Sequence, residues 1–170
     1  MKSKKNIVLI GMMGSGKSSI GKILSKKLNL EFIDIDSKIE EKENMTISQI
    51  FETKGEEYFR KLEEIISINN LKLQNKVISL GGGGYINKRI RKQTLKNCFS
   101  IWLDWSDEIL INRIKKNNKR PLAIKLSINE IKKLIIDRSK IYKKSNLNIK
   151  CDNLDKNKII LKIIKFYENN

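Results

Sequence analysis

The stretch Ile7-Val-Leu-Ile-Gly11-Met-Met-Gly14-Ser-Gly16-Lys17-Ser18-Ser19 decides the fold of this 170-residue chain. Its apolar run, residues 7–10, predicts a buried strand, and a helical pattern begins near Lys17. Between them stands G-x-x-x-x-G-K-S, the phosphate-loop pattern in the strand–loop–helix context that it requires. Gly14 and Gly16 permit backbone angles that turn successive N–H groups towards a phosphate, and the helix directs the positive end of its dipole at the same point.

Two side chains of this loop carry chemistry that its glycines cannot supply. Lys17 is long enough to reach the β- and γ-phosphates of a nucleotide as a point charge, and Ser18 supplies a small, hard oxygen suited to Mg²⁺. By itself the loop indicates binding of a nucleoside triphosphate and little more. The alternative, a glycine-rich turn with a chance Lys-Ser pair, is disfavoured by the strand and the helix on either side.

The chain is strongly basic, with 36 Lys and Arg residues against 19 Asp and Glu residues and a formal net charge of +17. Such a charge suits a nucleic-acid partner or anionic substrates. Lysine, asparagine and isoleucine are abundant throughout, and many lysines stand singly on amphipathic segments rather than in one dense tract. We therefore favour compositional drift combined with anionic substrates, and we expect no nucleic-acid partner.

Cysteine content and hydropathy indicate the cellular compartment in which we expect the protein. Cys98 and Cys151 lie in apolar, strand-like surroundings without metal-ligand spacing, so we expect reduced, buried, structural thiols. The apolar run 7–10 is short and leads straight into the phosphate loop, where signal-peptide cleavage would destroy the loop. No other stretch is long and apolar enough to span a membrane. We expect a cytoplasmic protein without a membrane partner.

Apolar runs alternate with helical patterns along the chain. The predicted strands are 7–10, 30–36, 77–80, 98–103 and 147–151, and the predicted helices are 19–28, 37–43, 46–51, 56–71, 87–95, 106–116, 127–142 and 155–167. This order predicts an α/β fold with a parallel sheet and helices on both faces. The helix 56–71 carries an apolar stripe of Phe59, Leu62, Ile65, Ile66 and Ile68. Neither a repeat nor a linker interrupts the pattern, so we expect one domain over residues 1–170.

Two carboxylates, Asp34 and Asp36, end the second predicted strand. Residues at i and i+2 share one face of a strand. At the carboxyl end of a strand in an α/β sheet they point into the crevice where such folds bind ligands. Asp36 taken alone could instead cap the helix that follows, Ser37 to Glu43.

Further motifs follow in a fixed order along the chain. They are Phe32-Ile-Asp34-Ile-Asp36, Gly55-Glu-Glu-Tyr-Phe59-Arg60, Ser79-Leu-Gly81-Gly-Gly83, Arg120-Pro-Leu122 and Arg138-x-x-x-Tyr142. In this order and at these separations, together with the phosphate loop, they resemble the shikimate kinase family over nearly the whole chain. The resemblance implies a three-layer α/β/α P-loop kinase fold with a five-stranded parallel sheet and a mobile lid at about 112–126. It also implies a monomer.

The same resemblance implies a reaction and its cofactor. Shikimate kinases transfer the γ-phosphoryl group of ATP to the 3-hydroxyl of shikimate, on the route to chorismate and the aromatic amino acids. One Mg²⁺ ion, bound with ATP, would be held by Ser18 directly and by Asp34 through bound waters, with Ser79 as a further candidate. Phosphoryl transfer of this kind depends on positioning and charge neutralisation more than on covalent chemistry.

Residue roles carry over by the same resemblance. The implied catalytic residues are Lys17, Asp36 and Arg120. Nucleotide contacts are implied for Gly14, Ser15, Gly16, Lys17, Ser18, Ser19, Arg113 and Arg120, with Arg113 against the adenine face and Arg120 on the lid. Shikimate contacts are implied for Asp36, Arg60, Gly82, Gly83 and Arg138, with Phe51 and Phe59 as walls. Paired guanidiniums suit a planar carboxylate. The resemblance also implies Asp36 as a base for the attacking hydroxyl.

The chain departs from the family pattern at two places. After the fifth predicted strand the family often has Thr, Arg and Pro near the adenine, whereas residues 151–157 contain neither Arg nor Pro. We therefore assign no adenine contact in that segment. In the lid, Ala123 stands where a second leucine is usual.

Three alternatives remain open at this point. One is another small P-loop kinase, acting on gluconate or a nucleoside monophosphate, although the trio Asp36, Arg60 and Arg138 suits a small hydroxy acid better. The second is a P-loop protein that binds nucleic acid, for which no recognition module is evident. The third is a catalytically inactive relative, against which the intact loop and carboxylates argue.

Overall fold

The computed structural model describes residues 5–116 and 126–170. Its strands are β1 (Asn6–Ile10), β2 (Glu31–Asp34), β3 (Lys76–Ser79), β4 (Cys98–Asp104) and β5 (Leu147–Lys150). Its α-helices are α1 (Lys17–Leu28), α2 (Ile35–Glu43), α3 (Ile47–Leu71), α4 (Lys88–Asn97), α5 (Asp107–Lys115), α6 (Ile128–Tyr142) and α7 (Lys156–Glu168), with one 3₁₀ turn at Gly84–Ile86. The predicted order of strands and helices is confirmed for these residues.

All pairings in the sheet are parallel, and the strand order is β2-β3-β1-β4-β5. The strand β1 is central, with Val8 in register with Ile78 of β3 and Ser100 of β4. Because parallel strands share one direction, the carboxyl ends of β1, β2 and β3 meet at one edge. Open α/β sheets bind their ligands at this edge.

Alternation along β1 separates two hydrophobic layers. Val8 and Ile10 belong to a cluster that includes residues of α2, α3, α5 and α6, whereas Ile7 and Leu9 pack with residues of α1 and α7. All four side chains are almost completely buried. A strand buried on both faces favours apolar side chains on both, which explains the continuous apolar run over residues 7–10. The three-layer α/β/α arrangement around a five-stranded sheet is thus confirmed.

Local signals place most helix ends where the sequence predicts them. Thr46 begins α3 and Ser127 begins α6, each with a reciprocal capping box. Asn29 ends α1 in the left-handed conformation. Gly55, at φ 82° and ψ 166°, is the non-helical residue that separates the two predicted helices within α3. Ile65 does not belong to the buried stripe, because its side chain is 54% exposed.

The prediction that the second strand extends to Asp36 is wrong. The strand β2 ends at Asp34, and the Asp34 carboxylate accepts hydrogen bonds from the backbone N–H groups of Asp36 (3.1 Å) and Ser37 (3.4 Å). Asp34 is therefore the N-cap of α2. Asp36 lies in the first turn of that helix, so it neither shares a strand face with Asp34 nor caps the helix.

Part of the predicted lid lies outside the described residues. These are residues 117–125, which include Arg120 and Ala123. The described residues of the lid are 112–116, at the end of α5, and Leu126. Within the two described ranges, no helix has the length and apolar character needed to cross a membrane.

Both cysteines are free and buried, as predicted. Burial raises the pKa of Cys98 and of Cys151 to about 12. At pH 8 both thiols are therefore protonated and shielded.

We expect no reaction of the native protein with a chromogenic disulfide reagent, and two reacting thiols per chain after unfolding in guanidinium chloride. A thiol that reacts quickly in the native protein would contradict this burial, and Cys98→Ser and Cys151→Ser would identify which one it is.

Candidate active site

The phosphate loop joins the carboxyl end of β1 to the first turn of α1. Gly14 and Gly16 adopt φ angles of 78° and 86°, which favour glycine. Gly16 is also the N-cap of α1 and has no side chain with which to cap it. Gly14 packs so closely on α5 that a Cβ atom there would lie 3.2 Å from the Cβ of Arg113. The loop conformation therefore depends on glycine at both positions.

Lys17 lies at the base of this loop and is 8% exposed. Its ammonium group donates hydrogen bonds to the carbonyl oxygens of Gly11 and Met12, both at 2.9 Å. The Ser15 hydroxyl lies 3.4 Å from the same nitrogen. The positive charge is thus located at the start of α1, where the helix dipole also favours an anion.

Hard oxygen donors meet beside the loop. The Ser18 hydroxyl on α1 donates to Oδ2 of Asp34 at the end of β2, with the two oxygens 2.5 Å apart. Ser79 is the residue in register with Asp34 on β3, and it is buried. A hydroxyl and a carboxylate at one point fit a Mg²⁺ ion that also takes phosphate oxygens and waters. Asp34 therefore combines a structural task, capping α2, with an oxygen available beside Ser18.

Two cavities adjoin at this edge of the sheet. One, of about 400 Å³, follows the phosphate loop and is lined by Lys17 and Ser18. The other, of about 290 Å³, lies between α3, α6 and the glycine-rich segment that follows β3. Met13, Asp36 and Ile47 line both cavities. A ligand in the second cavity would consequently lie next to a phosphate held in the first.

The second cavity is lined by the residues for which the resemblance implies contacts with shikimate. They are Asp36, Arg60, Gly82, Gly83 and Arg138, with Phe51 and Phe59 as walls. The two phenylalanine rings have centroids 4.7 Å apart, and the Arg60 guanidinium lies over the Phe59 ring at 5.1 Å. An apolar wall with a few convergent charged groups is typical of small-molecule sites.

Two carboxylates hold the guanidinium of Arg60. Its Nη1 lies 2.7 Å from Oε2 of Glu63, and its Nε and Nη2 each lie 3.2 Å from Oε1 of Glu56. Glu63 is only 2% exposed, and burial raises the pKa of its carboxyl group, an effect that the charge of Arg60 opposes. Its second oxygen, Oε1, has no hydrogen-bond partner among the described residues. Sequence reasoning missed Glu63; its position three residues after Arg60 on the apolar face of α3 was the available signal.

A pair of side chains on α6 converges on one backbone carbonyl. Arg138 Nη1 donates to the oxygen of Gly82 at 3.2 Å, and the Tyr142 hydroxyl donates to the same oxygen. Tyr142 is 1% exposed, and burial raises its pKa to about 12. The spacing Arg138-x-x-x-Tyr142 places both groups on one face of the helix. Together they fix the glycine-rich segment against the second cavity.

Arg113 lies on the other side of the phosphate loop. Its guanidinium carbon is 3.9 Å from the centroid of the Trp105 ring, and its Nη1 donates to the Gly14 carbonyl oxygen at 3.2 Å. The Trp105 indole N–H donates to the Ser15 carbonyl oxygen at 2.9 Å. Sequence reasoning assigned no function to Trp105. Arg120 lies outside the described residues, so its predicted place at the site stays a prediction.

The parallel sheet, the phosphate loop and the adjoining small-molecule cavity define a P-loop kinase of a small acceptor. A family model described as shikimate kinase matches residues 13–168. The chain is 44% identical to the shikimate kinase of Sulfurihydrogenibium sp. over 162 residues, which are 94% of this chain and 96% of that protein. The chain belongs to the shikimate kinase family, whose members are ATP-dependent kinases.

Solved structures of shikimate kinases are similar to this chain as well. Shikimate kinase from Acinetobacter baumannii in complex with shikimate superimposes with a TM-score of 0.92 at 27% identity, covering 98% of this chain and 94% of that one. Shikimate kinase from Aquifex aeolicus superimposes with a TM-score of 0.87 at 37% identity, covering 97% of each chain. The similarity therefore extends through the whole fold and is not confined to the phosphate loop.

Replacing Tyr142 by phenylalanine tests how the glycine-rich segment is held. The Gly82 carbonyl loses one of its two donors, so we expect the free energy of unfolding to fall by about 0.5–1.5 kcal/mol. We also expect the KM for the acceptor to rise more than the KM for ATP, since Gly82 lines only the acceptor cavity. Urea unfolding and steady-state kinetics measure both effects. Tyr58→Phe is the control, because the Tyr58 hydroxyl also makes one hydrogen bond, to Glu43 at 3.0 Å, but lines neither cavity. An acceptor KM that rises equally in the two variants would contradict the assignment.

Proposed function

We propose that this chain transfers the γ-phosphoryl group of ATP to the 3-hydroxyl of shikimate, giving shikimate 3-phosphate and ADP. In the cell this step serves the synthesis of chorismate and the aromatic amino acids. One observation carries the proposal: the cavity that adjoins the phosphate loop is lined by two guanidiniums, those of Arg60 and Arg138, and by three carboxylates. Glu56 and Glu63 pair with Arg60, and the third carboxylate, Asp36, lines both cavities. Family membership supports the same conclusion.

The chemistry of the acceptor cavity favours a small hydroxy acid. Arg60 and Arg138 offer planar, paired donors to one carboxylate. Asp36 and the backbone N–H groups of Gly82 and Gly83 suit hydroxyl groups. A nucleoside monophosphate would need a site for its base, and gluconate is an open chain that does not require the aromatic Phe51–Phe59 wall. Shikimate, a carboxylated ring with three hydroxyls, fits all of these groups.

Transfer then depends mainly on alignment. The acceptor carboxylate, held by Arg60 and Arg138, directs a ring hydroxyl towards the boundary of the two cavities, where Asp36 lies. Asp36 orients that hydroxyl by accepting its hydrogen bond and, as the carboxylate that lines both cavities, is the candidate to receive its proton. Lys17 and the loop amides stabilise the negative charge on the phosphates. No covalent intermediate with the protein is required.

The residues around Ser18 fit a divalent cation, and we propose Mg²⁺ bound together with ATP. Ser18 would hold it directly, with Asp34 and Ser79 acting through waters. When bound, the ion neutralises phosphate charge and fixes the orientation of the triphosphate. The Ser18–Asp34 hydrogen bond keeps both oxygens in place for that task.

The remaining proposals rest on sequence and family resemblance. We propose that Arg113 contacts the adenine, that Gly14, Ser15, Gly16, Lys17, Ser18 and Ser19 contact the phosphates, and that Arg120 meets the phosphates from a lid at about 112–126. Exclusion of water by such a lid would protect ATP from hydrolysis. We further propose that residues 1–170 form one domain that acts as a monomer in the cytoplasm, where ATP is available.

The direct experiment is ADP release from ATP and Mg²⁺ with shikimate, gluconate or AMP as acceptor. We expect turnover with shikimate and none above background with the other two. Turnover with gluconate or AMP alone would show that the acceptor cavity binds a substrate other than shikimate. Absence of turnover with all three, in protein that is folded and binds ADP, would overturn the proposed reaction.

Arg138→Ala tests the carboxylate contact. Removing one partner of a buried charged pair costs about 2–5 kcal/mol, so we expect the KM for shikimate to rise by tens- to thousands-fold. Lys140→Ala is the matched control on the same helix, because Lys140 is exposed and pairs only with Asp137 among the ion pairs of the described residues. Steady-state kinetics compare the two variants. A shikimate KM in Arg138→Ala that stays close to that of the control would contradict the assignment.

A further inference from the structure

A tryptophan outside the predicted site residues contacts the outer side of the phosphate loop. Trp105 lies between β4 and α5, and its indole N–H donates to the Ser15 carbonyl oxygen at 2.9 Å. Ser15 is completely buried. The indole has one hydrogen-bond donor and no acceptor, and it uses that donor on the loop.

The same indole supports a second contact with the loop. The Arg113 guanidinium stacks on its face, 3.9 Å from the ring centroid, and donates to the carbonyl oxygen of Gly14 at 3.2 Å. Two consecutive carbonyl groups of the loop are therefore held from the side of α5. Gly14 permits this close approach, because a Cβ atom there would crowd the Cβ of Arg113.

Holding the carbonyls also fixes the N–H groups. In a trans peptide the C=O and N–H bonds point in opposite directions, and the described residues contain no cis peptide. The Ser15 carbonyl shares its peptide plane with the N–H of Gly16, so the bond from Trp105 directs that N–H away from the indole. Gly16 lines the phosphate-loop cavity. The N–H of Ser15 meanwhile donates to the Met12 carbonyl oxygen at 3.2 Å, which closes the loop from within.

We propose that Trp105 is a positioning residue for the nucleotide: its N–H holds the peptide of Ser15 and Gly16, and its ring holds the Arg113 guanidinium beside the loop. The loop then presents the Gly16 N–H before the phosphates arrive, which lowers the entropic cost of binding ATP. The inference deepens the proposed function, since it concerns the nucleotide half of the same site. It makes no use of the acceptor cavity.

The other tryptophan shows what a packing role looks like in this fold. Trp102 lies on β4, is 4% exposed, and packs at a tilt on Tyr142 with ring centroids 5.8 Å apart. Trp105 is only half-buried and makes its polar contact 90 residues away in sequence, on the phosphate loop. Phenylalanine at position 105 would satisfy apolar packing. It could not donate the hydrogen bond to the Ser15 carbonyl oxygen.

Two variants separate the N–H from the ring. Trp105→Phe keeps an aromatic face for Arg113 and removes the donor, whereas Trp105→Leu removes both. We expect Trp105→Phe to raise the KM for ATP and the Kd for ADP by about three- to tenfold, the effect of one hydrogen bond. We expect a larger rise in Trp105→Leu, and a shikimate KM within about twofold of the unaltered protein in Trp105→Phe. Calorimetry with ADP and steady-state kinetics give these values.

Trp102→Phe is the matched control on the same stretch of chain, with the same change of side chain. It should lower the Tm without a selective effect on ATP. The proposal is overturned if Trp105→Phe leaves the Kd for ADP unchanged, or if it raises the KM of both substrates equally together with a fall in Tm, as a structural role would. Because ADP binding needs no acceptor, this test still decides the role of Trp105 if shikimate proves not to be the substrate.

Discussion

The hydrogen bonds from the Lys17 ammonium to the carbonyl oxygens of Gly11 and Met12 hold the phosphate loop at the end of the central strand. A loop that offers its backbone to an anion has few side chains of its own with which to keep its shape. Its left-handed glycines permit the conformation but do not enforce it. Lys17 therefore holds the loop from within, while Trp105 and Arg113 hold it from outside. The sheet contributes rigidity, because β1 is buried on both faces.

The proposed reaction brings two anions to this site, and the two cavities offer them different chemistry. Backbone amides, a helix dipole and one ammonium group suit a phosphate, which accepts from every direction. Planar guanidiniums suit a carboxylate, and Glu63 and Glu56 orient Arg60 before any ligand arrives. Asp36 belongs to both cavities because α2 begins directly at the carboxyl end of β2. The two cavities therefore share a boundary at the carboxyl end of β2.

The sequence was sufficient for the phosphate loop and the order of strands and helices, because each has a local pattern, and the family motifs were sufficient to select residues that line the second cavity. It was insufficient for Asp36, since the competition between strand and helix was decided by the cap that Asp34 provides. The sequence did not identify Glu63 or Trp105. Glu63 becomes a neighbour of Arg60 only through helix geometry, and Trp105 becomes a neighbour of Ser15 only through tertiary packing. A charged residue on an apolar helix face, as at Glu63, is a signal that sequence reasoning can use.

We propose that the acceptor is selected by its carboxylate next to the phosphate loop. A comparison of kcat/KM for shikimate with kcat/KM for shikimate methyl ester, which keeps every hydroxyl and loses the charge, decides this. If Arg60 and Arg138 bind the carboxylate, the ester should be poorer by about 10²- to 10³-fold, equivalent to roughly 3–4 kcal/mol. Equal values for acid and ester would show that the two arginines do not select the acceptor, and the account of the site would be wrong.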